Sequence, residues 1–120
     1  MTLPSRVLGS GISSLSTVAI CGDGQDDVVA AGTSAGDATQ LVAVFTSVDT
    51  TPSGSGVKLP KAEAGAMVAI INSGAHSLTV YPQTADTINN TASSAIAQNH
   101  ATMFFAVSNT NWYTLVGERS

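Results

Sequence analysis

The sequence predicts an all-β domain, folded as a β-sandwich or a jelly-roll-like unit with an extended N-terminal arm. Its apolar runs are short and rich in Val, Ile, Thr and aromatic residues. Clusters of Gly, Pro, Asn, Asp and Ser separate these runs at frequent intervals. No longer stretch carries the i, i+3, i+4 apolar stripe of an amphipathic helix, and short strands between frequent turns are the mark of sandwich and jelly-roll folds. A chain of 120 residues suits one domain. We divide it into an arm, residues 1–14, and a single β-domain, residues 15–120.

The arm is rich in Gly and Ser, with Leu3, Val7, Leu8 and Ile12 scattered along it. These side chains are too sparse for a core, but an extended chain could lay each of them on a partner, so they are the candidate partner-binding residues. Thr17–Cys21 reads as a short strand, and Gly22–Asp27 as an acidic turn. Val28 and Val29 begin another short strand, broken by Gly32–Asp37. Ala38–Val48 reads as one longer strand with apolar groups on both faces, as expected of a covered or central position. A loop over Thr50–Gly56 leads to the alternating Val57–Pro60. After a turn at Glu63–Ala66, Met67–Asn72 and Leu78–Pro82 read as a hairpin joined by Ser73–His76. Ile88, in the polar stretch Asp86–Asn90, and Ile96, in the short run Ser94–Ala97, are expected to point inward. Thr102–Val107 and Trp112–Val116 form a second hairpin around Ser108–Asn111.

Charge is the unusual part of the composition. Only 10% of residues are charged, against about 25% in a typical domain; Ser, Thr and Ala fill that space. A surface of this kind can pack against another protein without desolvating many ions, so the composition predicts self-association. The net charge of −4 argues against nucleic acid, because a phosphate-binding face needs clustered cations and the chain has only Arg6, Lys58, Lys61 and Arg119. A single cysteine, Cys21, leaves no intrachain disulfide and fits assembly in a reducing cytoplasm. No apolar run approaches the ~20 residues of a membrane-spanning helix, and the N-terminus lacks the apolar centre of a signal peptide.

Little in the sequence suggests catalysis. His76 and His100 have no other metal-ligand residue type at a local ligand spacing and read as solvated turn histidines. Asp23, Asp26 and Asp27 lack the alternating order and bidentate Glu of a calcium loop, so they read as a solvated turn. Cys21 has no base or cationic field beside it to activate a nucleophile, and no G-x-S-x-G elbow occurs. The expectation is a protein that is not an enzyme, with no catalytic, metal-binding or cofactor-binding residues. Alternation places Phe104 opposite in facing to Phe105, and Trp112 to Tyr113, so one of each pair is core and the other is left for an interface or a sugar platform.

From Gly56 onward the chain resembles a family of small tailed-bacteriophage virion proteins. The residues that carry the resemblance are Gly56-Val57-Lys58-Leu59-Pro60, Ala64 to Ala75, Leu78-Thr79-Val80-Tyr81-Pro82 and Asp86-Thr87-Ile88-Asn89. They are followed by Phe104 to Ser108 and Asn111-Trp112-Tyr113. The match covers roughly half the chain and leaves residues 1–55 outside it. The resemblance implies a trimeric β-domain of the kind used in capsid decoration (cement) proteins, head fibres and tail-fibre or baseplate parts, and it brings no catalytic residues. The expected function is a capsid decoration protein, assembled in the host cytoplasm. As a homotrimer it would bind the major capsid protein or another virion protein on the outer head surface and stabilise the shell. The alternative is a tail-fibre, baseplate or head-fibre adhesin module that binds carbohydrate.

Overall fold

A computed structural model describes residues 23–115, and every described element is a strand. The chain runs β1 (Gly24–Val29), β2 (Thr39–Gln40), β3 (Phe45–Thr50), β4 (Gly56–Lys58), β5 (Met67–Asn72) and β6 (Leu78–Tyr81). It continues with β7 (Thr87–Ile88), β8 (Ser94–Ile96), β9 (His100–Ala106) and β10 (Asn111–Leu115). The fold is all-β, as expected, but it is not a sandwich or jelly roll of antiparallel strands. The first nine strands alternate between two sheets, of order β1-β3-β5-β9-β10-β7 and β2-β4-β6-β8, and β10 stays in the sheet of β9. Within them β1, β3 and β5 are parallel neighbours, as are β2, β4 and β6. The first six strands therefore wind as a solenoid-like stack. After β6 the chain reverses, and β8 and β9 pair antiparallel with β6 and β5.

One core fills the space between the sheets. Val48, Ile70, Phe104 and Trp112 come from the larger sheet, and Val57, Leu78, Val80 and Ile96 from the smaller; all are almost completely buried. Ile88 and Ile96 point inward as the sequence predicts. The C-terminal hairpin also forms as expected, with Trp112 opposite Ala106 and Tyr113 opposite Phe105.

Three other readings change. Met67–Asn72 and Leu78–Tyr81 are not a hairpin: β5 pairs with β3 and β9, β6 with β4 and β8. The turn between them is a corner from one sheet to the other, organised by the fully buried Asn72. Its Nδ2 donates to the carbonyls of His76 (2.8 Å) and Ile96 (2.9 Å), and its Oδ1 accepts from Thr51 Oγ1 (2.8 Å) and the Gly74 amide (3.1 Å). Both donors and both acceptor sites of the amide are used. Gly74 is required at this corner, because a Cβ would lie within 2.2 Å of Thr51 Oγ1.

Ala38–Val48 is likewise two strands around a corner. Leu41 and Ala43 are buried before it, Thr46 and Val48 after it, so the inward parity changes between them. That change explains why the stretch looks apolar on both faces. The corner is held by Asp23, whose Oδ1 and carbonyl accept the amides of Val44 and Phe45, each at 2.9 Å. Finally, the acidic run expected to be a turn is mostly strand β1. Its register shifts between Gln25 and Val28, and Asp27 adopts a φ of 57°, the geometry of a bulge. The arm with Leu3, Val7, Leu8 and Ile12, the expected strand Thr17–Cys21, and Cys21 itself lie outside the described residues.

Candidate functional site: the outward face of the six-stranded sheet

Strand alternation gives the larger sheet two faces, and both are apolar. Register aligns Phe45, Ala69, Met103 and Leu115 in one outward row across β3, β5, β9 and β10. Ser47, Ile71 and Ala101 form a second row, and Met67, Phe105 and Tyr113 a third. Phe45, Met67, Ile71 and Leu115 are 47%, 49%, 42% and 63% exposed. Phe105 and Tyr113, neighbours across the hairpin, bring their ring centroids to 6.3 Å at a tilt of 32°.

The face is not flat. Small residues at Ser47, Ala69 and Ala101 lie between the larger Phe45, Ile71 and Met103, leaving an open hollow of about 550 Å³ bounded on one side by β1. The opposite side, on β9 and β10, carries a ridge of larger side chains, the Phe105–Tyr113 pair and Leu115, where the trough has small residues. The β10 half of the face thus carries a ridge and the β1 half a trough. None of the residues in the three rows is ionisable except Tyr113.

The β1 end of the trough is acidic, and Asp26 is among the residues that line it. Among the described residues, Asp26, Asp27 and Asp49 are the group whose carboxylates converge, with ligand atoms within 4.8 Å of one another, and all are solvent-facing. A hydrogen bond to Asp49, followed by the charges of Asp26 and Asp49, raises the Asp27 carboxyl above its ordinary value. Asp49 is held below its ordinary value, first by the Ser47 hydroxyl at 2.6 Å and then by Asp27. Asp23, grouped with Asp26 and Asp27 in the sequence, instead anchors the β2–β3 corner. Asp49 was not part of that sequence grouping; parallel pairing of β1 with β3 brings it in.

The remaining candidate residues serve structure. His76 Nδ1 lies 3.0 Å from the Thr51 carbonyl, and His100 Nδ1 2.8 Å from that of Gln98. Asp86, whose side chain is fully buried, accepts from Lys61 Nζ at 2.6 Å and from the Ala62 amide at 2.9 Å, pinning the segment after β4 to the start of β7. Lys61 Nζ also donates to the Asn109 carbonyl. Phe104 and Trp112 are the buried members of their pairs, while Phe105 and Tyr113 face outward. The alternation of Met67, Ala69 and Ile71 with the buried Val68 and Ile70 was the available sign that this strand is apolar on both faces. No family model, curated protein or solved structure matches the chain.

Proposed function

We propose that this chain is a non-catalytic structural protein of a bacteriophage virion: a capsid decoration protein that binds the outer head surface as a homotrimer and stabilises the shell. The observation that carries the reading is the apolar outward face of the six-stranded sheet, presented by a domain with an unusually low charge content. Such a face favours lasting protein contact over catalysis or ion binding. The residues that resemble virion proteins fall on β4 to β7, β9 and β10, and so include three of the four strands of that face. Burial of Trp112 favours a lattice protein over a sugar platform, since an indole in the core cannot stack on a ligand. The outward Phe105–Tyr113 pair is what supports the second reading, a carbohydrate-binding fibre or baseplate module.

The test is electron microscopy of purified virions labelled with an antibody to this chain. Label over the heads is expected. Label confined to the tail would replace the decoration reading with the fibre or baseplate one, and unlabelled particles would overturn both.

A further inference from the structure

We infer that two copies of this chain meet through the outward face of the six-stranded sheet, the ridge at Phe105, Tyr113 and Leu115 of each entering the trough over Ser47, Ala69 and Ala101 of the other. The inference rests on the self-association reading above and assigns it a surface.

Area is the first argument. Phe45, Met67, Ile71 and Leu115, exposed as described, offer about 400 Å² together if a whole large side chain presents about 200 Å². Met103, Phe105 and Tyr113 raise this toward about 600 Å², the upper end of what a lone domain leaves as one apolar patch. A specific interface takes roughly 800 Å² per partner, so this apolar patch would supply most of one.

Shape is the second argument. A ridge and a trough on separate halves of one face are complementary between copies. Two such faces turned toward each other by a two-fold place each ridge over the other's trough, an isologous contact that covers the whole face once.

The sheet edges are the third argument, because they discourage the other route by which β-proteins join. Among the described residues β1 is an outer strand of the sheet; it carries Asp26 and Asp27 on a bulge, and charge and bulging both oppose strand addition. At the other edge β7 is two residues long and runs into Asn89 and Asn90, both at positive φ. Blocked edges beside an open apolar face direct association to the face.

The test is multi-angle light scattering of the full chain at micromolar concentration, wild type beside three variants, with far-UV circular dichroism as the check of folding. Ile71→Asp puts a charge on the trough wall, and Ala69→Trp fills the trough without adding charge. Both sites are outward-facing, and either variant that keeps the wild-type spectrum is sufficient. Ala92→Asp places the same charge at an exposed site outside the face. Wild type and Ala92→Asp should run as even multiples of the 12.1 kDa chain, and Ile71→Asp and Ala69→Trp as folded monomers. A mass of two chains would overturn the trimer reading while leaving the face assigned. The inference is overturned by a wild type of one or three chains, by trough variants that stay assembled, or by Ala92→Asp dissociating equally.

Discussion

The two faces of the six-stranded sheet are drawn from nearly the same apolar residue types, yet they have opposite surroundings. Inward, Val48, Ile70, Phe104 and Trp112 meet the four-stranded sheet and are at most 1% exposed. Outward, Phe45, Ile71 and Leu115 sit on three of the same strands and keep 42% or more of their surface. Hydrophobicity alone therefore does not tell a core face from an exposed one; among the described residues, what differs is whether the four-stranded sheet supplies a covering layer. A buried large apolar side chain contributes about 1.5–3 kcal/mol relative to an exposed one. The inward face collects that on folding, and the outward face collects it only when another surface arrives.

The largest contrast should come from truncating adjacent phenylalanines on β9. Phe104→Ala empties a fully enclosed site and is expected to cost about 3–5 kcal/mol in denaturant unfolding. Phe105→Ala should cost less than about 1 kcal/mol under conditions where the chain is monomeric. Equal costs would mean that the outward face is already covered by the chain itself. A slightly smaller loss, about 3 kcal/mol, is expected for Asn72→Ala. It leaves Thr51, the Gly74 amide and two carbonyls without their partner, and unsatisfied buried groups cost about 1–3 kcal/mol each before relaxation. If Asn72→Ala unfolds at the wild-type denaturant midpoint, the corner amide does not hold the coil together.

Much of the fold was legible where the pairing is local. The hairpin of β9 and β10 shows in sequence because its strands are joined by four polar residues and alternate cleanly, and the inward aim of Phe104 and Trp112 follows. The coil was not legible. Parallel neighbours such as Phe45 and Ala69 are far apart in sequence and leave no local mark, so the loop from Asn72 to Leu78 looks the same whether it returns to its own sheet or crosses to the facing one. Asn72 reads as the end of a strand, and nothing local shows that its amide will be buried among four partners. The acidic residues of β1 suggested a turn for a similar reason: on an edge strand they oppose strand addition, a role that exists only once β3 lies beside them. The candidate surface was half legible, since the outward aim of Phe105 and Tyr113 follows from alternation, but alignment of Phe45 with Met103 requires the assembled sheet.

The acidic corner offers a smaller test of the boundary between the apolar face and its rim. Asp27 titrates above its unfolded value, so its contribution to stability is fully present below the unfolded pKa and is lost as pH rises through the folded one. Asp49 and Asp37 titrate below theirs, Asp37 chiefly because the Ser34 amide hydrogen-bonds it, so their contributions are lost as pH falls through the folded values. Asp27→Asn should therefore remove the component of stability that declines with rising pH just above the ordinary carboxylate range. Urea unfolding followed across that range checks it; a pH profile identical to wild type would show that the carboxyl is not coupled to folding.

The claim that the outward face is completed by another copy is tested most directly by thermal unfolding of the full chain over a hundredfold range of protein concentration. Association that involves only the folded state raises the midpoint as concentration rises, by mass action. Wild type should show that rise, and Ile71→Asp should melt at one temperature throughout. A wild-type midpoint independent of concentration would contradict the account.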